Sequence, residues 1–540
     1  MTALPATSRR DAARHGAIQP YALTLDKFID HAAKWHGDVE VVTGGGAGSR
    51  VTYAALRERA NRLSGSFRAL GLEAGDNLGI LAWNSQAHME CWYGAVGVGI
   101  VCHTLNPRLS PTHLAAMIDL AGNRVLALSP DLVPLGEALA SLCPTLEHIV
   151  VLDEPGGESV LPTHPHVRGW HYEAMLADMG RQTTWGGFEE DAPAGLCFTS
   201  GTTGVPKGVT YTHRSNYLHT LHQLQADAAG LSARDTLLVA VPMFHANGWG
   251  FPFSAPAAGA KMVLPGRYQD GASLARLIED ESVTVAAGVP TVWLGLADHL
   301  DKTGGETPSL ERVMLGGAPV PQALMDRLEQ RLGAIVQTSW GMTELSPLGT
   351  TTPARAPVRS AAKSGRPPIG VDLLLKGGDG APLPEQRGRE GRLHVRGAAV
   401  VQRYFGHDAP ATDAEGWFDT GDLAVIDGAG HVAITGRAKD LIKSGGEWIN
   451  PQEIEAIIGA LPGVAQVAVI GRAHARWGER PVLVVEPAKG ADLADAALLD
   501  ALDGRVARWW LPDAIVRVEA MPLATTGKID KQRLRADYGS

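Results

Sequence analysis

Apolar positions along the chain follow two rhythms that trade places repeatedly. In Leu25–Trp35 and Tyr53–Leu70 they recur every three and four residues, the spacing of one helix face. Ser273–Asp280 and Gln322–Leu332 share that spacing. Between such stretches lie short aliphatic runs: Leu78–Ala82, Val125–Ser129, His148–Val151, Leu237–Val241, Lys261–Leu264 and Val283–Ala287. Runs of this kind suit strands buried on both faces. The alternation predicts an α/β fold, with parallel sheets covered by helices. No repeat at a solenoid period is present.

Past Gly365 the texture changes to short strands: Leu373–Lys376, Gly391–Arg396, Gly421–Ile426 and His431–Thr435. Gly428–Gly430 turns one hairpin. A small β-barrel-like part is expected here. Asp153–Thr163 and Thr351–Gly365 read as loops from their Gly, Pro and polar content. After Gly436 the helix–strand alternation resumes on a smaller scale, over a stretch the size of a small domain. The boundary falls at Gly436–Asp440. It separates a large N-terminal domain, 1–436, from a small α+β C-terminal domain, 437–540.

Hydrophobic residues make up 45% of the 540 and charged residues 20%, which excludes a disordered chain. With 48 basic and 58 acidic side chains the net charge is −10, which argues against nucleic acid as a partner. Cys91, Cys102, Cys143 and Cys197 form no CxxC pair and read as buried, reduced thiols of a cytoplasmic protein. Met1–Gly16 carries Arg9, Arg10 and Arg14 but lacks the apolar segment of a signal peptide, so export is not expected. The longest nearly apolar stretch, Val283–Ala297, is too short to span a bilayer and is broken by Pro290. Any membrane contact would be peripheral.

The most informative stretch is Thr199-Ser200-Gly201-Thr202-Thr203-Gly204-Val205-Pro206-Lys207-Gly208-Val209. Its glycines leave backbone N–H groups uncovered, four hydroxyls add donors, and Lys207 adds charge. Together they suit a polyphosphate. Neither the Walker pattern nor a Rossmann GxGxxG is present. Further along come Gly316-Gly317-Ala318-Pro319, Trp340-Gly341-Met342-Thr343-Glu344, Gly416-Trp417-Phe418-Asp419-Thr420-Gly421-Asp422, Gly436-Arg437-Ala438-Lys439-Asp440-Leu441-Ile442-Lys443 and Thr525-Thr526-Gly527-Lys528.

Taken in this order, the motifs resemble those of the adenylate-forming superfamily of acyl-CoA synthetases, luciferases and peptide-synthetase adenylation domains. The resemblance runs from about Leu25 to Leu534. Within the family the chain looks most like bacterial medium- and long-chain fatty-acyl-CoA synthetases and 3-methylmercaptopropionate-CoA ligases. The resemblance implies ATP, Mg²⁺ and CoA as co-substrates, a small carboxylic acid as substrate and a homodimer. It assigns Ser200, Gly201, Thr202, Thr203, Gly204 and Lys207 to phosphate, and Thr199 and Glu344 to Mg²⁺. Gly317, Ala318, Trp340, Gly341 and Thr343 would surround adenine, with Trp340 in a position where many relatives have Tyr. Asp422, preferred over Asp419, would bind the ribose hydroxyls. Arg437 would reach ribose or phosphate, and Lys439 would be the pivot of the hinge. Lys443 and Gly445 would contribute to the same hinge and thioester-forming face. Lys528 would be the catalytic lysine, contacting both the substrate carboxylate and the α-phosphate.

Met243-Phe244-His245-Ala246-Asn247-Gly248-Trp249 follows an apolar strand. By the resemblance, His245 lies beside the reacting carboxylate and Trp249 gates the acyl pocket. Val289, Gly316, Ser339 and Met342 would line it. Ser339 stands where long-chain relatives carry Gly, which favours short-to-medium or compact acids over palmitate-length ones. A methyl-sized obstruction is worth about 1–3 kcal/mol of discrimination. The leading expectation is an AMP-forming acid–CoA ligase, with 3-methylmercaptopropionate or an aryl-alkanoate as the alternative acid. Loading of a separate carrier protein is the second enzyme reading, and a non-catalytic nucleotide-binding protein the third; intact Lys207, Glu344, Asp422 and Lys528 oppose the last.

Overall fold

The computed structural model describes residues 18–45, 48–153, 159–199, 206–356, 359–444, 447–524 and 528–539, without the side chains of Glu447 and Trp448. Two large sheets organise the N-terminal part. The first has seven strands in the order Arg168–His171, His148–Val151, Val125–Leu128, Asn77–Leu81, Val101–Thr104, Pro193–Thr199 and Lys207–Thr212. All neighbours are parallel except the last pair, which forms an antiparallel hairpin. The second has eight strands, in the order Leu348–Thr351, Ile335–Gly341, Arg312–Leu315, Val285–Gly288, Thr236–Val239, Lys261–Leu264, Glu40–Thr43 and Ser49–Thr52. Only its two outer pairs are antiparallel.

Alternation along each strand builds the layers. Leu237 and Val239 face a core shared with Leu78, Ile80 and Val125 of the other sheet and with helices Tyr53–Ala69, Gln86–Val96 and Phe251–Ala258. Leu238 faces the opposite side, with helices Gly271–Glu281, Pro290–Thr303 and Gln322–Leu332. Leu126 and Leu128 likewise turn from the shared core to helices Pro111–Ala121 and Val133–Leu142. The result is five layers, helix–sheet–helix–sheet–helix, covering both faces of each parallel sheet as the apolar runs require. Helix starts are capped where the sequence offers a hydroxyl or carboxylate. Ser85 accepts from His88 N, Asp270 accepts from Ser273 N, and Thr212 and Ser215 form a reciprocal capping box.

The barrel-like part expected past Gly365 is a four-stranded antiparallel meander, Val371–Lys376, Glu390–Gly397, Phe418–Ile426 and Val432–Arg437. Its first and last strands do not pair with each other, so the sheet stays open. Trp340 and Leu345 pack onto its inner face, which is why it needs no closure to cover that face.

The C-terminal part has its own five-stranded sheet, built on the Val464–His474 and Gly478–Pro487 hairpin and including Ala514–Arg517 in parallel. Its last helix, Lys531–Tyr538, is tied inward by two ion pairs, Lys531 to Glu455 at 2.6 Å and Arg535 to Asp440 at 2.8 Å. The four cysteines are buried and unpaired. Among the described residues, no helix is long and apolar enough to cross a membrane.

Candidate active site

Strands of three sheets carry several of the site residues: Thr199 and Lys207 on the first, Trp340 and Gly341 on the second, Asp422 and Arg437 on the meander. Thr199 ends the Pro193–Thr199 strand and Lys207 begins its hairpin partner, directly opposite it. The Thr199 hydroxyl donates to the Lys207 carbonyl at 3.4 Å. The intervening Ser200, Gly201, Thr202, Thr203 and Gly204, and also Gly445, lie outside the described residues. The ammonium of Lys207 stands 5.1 Å from the ring centre of Tyr404, and the Tyr404 hydroxyl donates to Glu344 Oε1 at 3.0 Å. Glu344 is buried. Burial raises its pKa; Tyr404, Arg437 and Lys207 pull the other way. Thr343 is anchored by its carbonyl, which accepts from the Tyr211 hydroxyl at 2.9 Å.

Trp340 and Gly341 end the strand Ile335–Gly341 at an irregularity in its register. Both depend on close backbone approach. A Cβ on Gly341 would come 2.2 Å from the Pro347 carbonyl, and one on Gly349 would come 2.3 Å from the Trp340 ring. The indole N–H of Trp340 donates to Asp422 Oδ2 at 2.9 Å, and Arg437 Nε meets Asp422 Oδ1 at 2.6 Å. Asp422 is 1% exposed, whereas Asp419 is open to solvent and paired with Arg392 at 3.5 Å. Burial raises the pKa of Asp422, opposed by Arg437, Trp340 and Lys528.

Lys528 joins this group from the C-terminal part. The residue is exposed as a whole, while protein crowds its charged end. That crowding and the like charges of Arg437 and Lys439 hold its pKa below the ordinary lysine value, with Asp422 pulling it up. Lys439 is held down in turn, first by burial. Lys443 lies further on, in strand Ile442–Ser444, with its backbone N–H donating to Glu479 at 3.0 Å.

The acyl side gathers at the mouth of the second sheet. A Cβ on Gly316 would lie 2.5 Å from Ser339 Oγ and 3.0 Å from Trp249 Cη2. One on Gly317 would lie 3.5 Å from Val289 Cγ1 and 3.7 Å from Trp249 Cζ2. Trp249, Val289, Gly316, Gly317 and Ser339 are therefore mutual neighbours, and Ala318 continues the partly exposed turn. Met342 is not among them. It packs with Trp340 and Leu345 under the meander and with the cluster around Tyr211. The Trp249 loop is strained: Ala246, Asn247 and Trp249 have φ of 41°, 57° and 56°. Non-glycine residues in that region cost on the order of 1–2 kcal/mol each. Gln223 Nε2 donates to the Trp249 carbonyl at 2.9 Å, holding the loop. His245 has a buried Nε2 without a partner among the described residues, and its pKa falls to about 4 through burial and the charges of Arg108 and Lys528.

Two residues escaped sequence reasoning. Tyr404 carries no motif spacing and reaches Glu344 from 60 residues away. Arg108 lies 5.9 and 5.8 Å from the rings of Trp83 and Phe244, and its guanidinium has no ion pair among the described residues. An Asn-Pro-Arg after a buried strand was the available signal.

A buried carboxylate held by Trp340 and Arg437, with lysines and a second buried carboxylate in the same region, suits a nucleotide. Family comparison decides the matter: a model described as AMP-binding enzyme matches residues 28–405, and one described as AMP-binding enzyme C-terminal domain matches 453–528. The chain is an AMP-binding enzyme. This AMP-binding enzyme is 40% identical to the 3-methylmercaptopropionyl-CoA ligase of Ruegeria lacuscaerulensis, over 97% of this chain and 98% of that one. It is 39% identical to the medium-chain-fatty-acid–CoA ligase of Ectopseudomonas oleovorans, over 97% of each chain. The solved structure of ATP-bound MatB from Rhodopseudomonas palustris is similar to it with a TM-score of 0.84 at 27% identity, covering 96% of this chain and 99% of that one.

Proposed function

We propose that this enzyme activates a short-to-medium-chain or similarly compact apolar carboxylic acid, with the site residues in the roles given below. The enzyme is an acid–CoA ligase that uses ATP, Mg²⁺ and CoA. One observation carries the residue assignments: the buried carboxylate of Asp422 is held at one oxygen by Trp340 and at the other by Arg437, with the charge of Lys528, from the C-terminal part, close enough to act on it.

In the first half-reaction a carboxylate oxygen attacks the α-phosphorus of ATP, and pyrophosphate leaves with the electron pair of the broken P–O bond. Lys528, protonated, offsets the charge that builds on the α-phosphate. Asp422 binds the ribose hydroxyls and Lys207 the phosphates. His245, neutral, offers its unpaired Nε2 to the reacting carboxylate without adding a second full charge. Glu344 and Thr199 would hold Mg²⁺, which neutralises the leaving pyrophosphate. Mg²⁺ usually keeps several waters and takes one or two carboxylates plus substrate phosphates, so phosphate oxygens and water would complete its shell. In the second half-reaction the thiol sulfur attacks the acyl carbon and AMP leaves. We assign 1–436 as the static part and 437–540 as the part that turns about Lys439 between the two steps.

The packing of Ser339 and Trp249 against Gly316 favours compact acids. The similarity to a 3-methylmercaptopropionyl-CoA ligase makes that acid the second reading, on the same pocket. A homodimer in the cytoplasm completes the reading, supported by the family resemblance and the unpaired cysteines. The test is AMP release with ATP and Mg²⁺ over butyrate to palmitate, 3-methylmercaptopropionate and phenylalkanoates, with and without CoA. AMP and acyl-CoA formed together, peaking at a compact acid, support the reading. A peak at palmitate refutes the substrate class, and turnover only with a carrier protein refutes the acceptor.

A further inference from the structure

Trp340 has two faces of possible use, the flat one and the edge bearing its N–H. We infer that the edge makes Trp340 a positioning residue for ribose recognition: its indole N–H fixes the carboxylate of Asp422. This rests on the proposed role of Asp422 as the ribose ligand.

The geometry is specific. Trp340 is nine-tenths buried, and its six-membered ring lies against Gly349, where no side chain could fit. Leu345 packs in the same cluster, so the ring has no room to swing. Its Nε1 is 2.9 Å from Asp422 Oδ2, while Arg437 Nε is 2.6 Å from Oδ1. Asp422 itself is pinned at the backbone. It pairs with Arg437 across the meander, and its N–H donates to Thr420 Oγ1 at 3.1 Å. Two side-chain torsions then remain, and the second, the rotation of the carboxylate about its own axis, is intrinsically broad. Two donors on different sheets, one to each oxygen, remove that freedom. A carboxylate has about four acceptor sites, so each oxygen keeps one for a ligand. Two such sites side by side match the two neighbouring hydroxyls of a ribose.

Phenylalanine keeps a flat face but has no donor. A tyrosine hydroxyl projects from the far end of its ring, away from the position of an indole N–H. Stacking on adenine and holding of the carboxylate are therefore separable. The comparison uses the full-length enzyme and the acyl-adenylation half-reaction with ATP, 2′-deoxy-ATP and 3′-deoxy-ATP. Trp340→Phe is expected to lower kcat/KM for ATP about tenfold or more, and for the deoxy nucleotides much less, so that discrimination between them shrinks about tenfold. A second variant places β-(3-benzothienyl)alanine at 340, which replaces N–H by sulfur at nearly the same shape and guards against a folding defect. It should reproduce the loss with an unchanged thermal midpoint. An equal fall for all three nucleotides, or unaltered discrimination in the sulfur variant, overturns the role of Trp340. Asp422→Asn reports on the underlying reading. If it abolishes discrimination while the Trp340 variants do not, the ribose assignment stands and the positioning role fails. If the unmodified enzyme does not discriminate, the ribose assignment itself fails and the positioning role falls with it.

Discussion

Gly316→Ala tests the acyl pocket most directly, because the added atom has a known address. The new Cβ would lie 2.5 Å from Ser339 Oγ and 3.0 Å from Trp249 Cη2, both closer than van der Waals contact allows. The φ of Gly316 is not in the left-handed region, so the backbone accepts alanine and the strain falls on those two side chains. Overpacking of this kind costs about 1–3 kcal/mol. Ser339 is held by its bond to the Leu315 carbonyl at 2.9 Å, so the indole of Trp249 is the element free to give, narrowing the channel. Acids longer by one or two methylenes should lose about 1–3 kcal/mol relative to the shortest turned over, roughly 5- to 150-fold in kcat/KM. Ser339→Gly vacates the space that the new methyl needs, at a cost of about 1 kcal/mol for its hydrogen bond. The double variant should therefore recover much of the lost selectivity, with a coupling of about 1–2 kcal/mol. The assay is AMP release on butyrate, hexanoate, octanoate and decanoate for the four members of the cycle. A uniform loss over all chain lengths, or strict additivity in the double variant, would refute the placement of the pocket.

Lys528→Ala should slow adenylation about 10²- to 10³-fold, the usual loss for one electrostatic stabiliser of a transition state, while thioester formation from supplied acyl-AMP persists. Equal loss in both half-reactions would contradict its role. Because crowding and like charges lower the pKa of Lys528, its protonated form is lost as pH rises through a value below the ordinary 10.5. Single-turnover adenylation should decline there, and Lys528→Arg should remove the decline; a rate flat up to the ordinary lysine range would refute it. Tyr404→Phe removes the donor to Glu344 Oε1 and should raise the Mg²⁺ concentration for half-maximal adenylation several-fold, about 1 kcal/mol, with Glu344→Gln larger. An unchanged Mg²⁺ dependence in both would detach Glu344 from the metal.

Local pattern carried much of the fold. His148–Val151, Lys261–Leu264 and Gln322–Leu332 have in the structure the bounds their periodicity predicts. The run Val283–Ala287 is a strand too, but displaced to Val285–Gly288. A strand buried on both faces shows no change of polarity at its ends, so pattern cannot place them. The hairpins past Gly365 were legible from their turns, yet their openness was not, since closure depends on what covers the sheet. In the site, each motif could be read singly because its residues are neighbours in sequence. The contact of Trp340 with Asp422 joins strands of two different sheets, 82 residues apart. Met342 shows the converse: the resemblance assigned it to the pocket with Ser339, while the chain leaves the strand at Gly341 and Met342 packs with Trp340 and Leu345 instead.

The two ion pairs that tie the last helix inward have a mechanical meaning. Arg535 grips Asp440, the neighbour of the pivot, and Lys531 grips Glu455, while Lys528 stands three residues before Lys531. Lysine and pivot thus belong to one lever, as the pallet and arbor of a clock escapement do. Under the proposed rotation, the turn that admits the thiol is also the stroke that withdraws the ammonium. On that reading the two ion pairs would keep both sets of tools from being engaged at once, and the order of the two chemistries would follow from the stiffness of the lever.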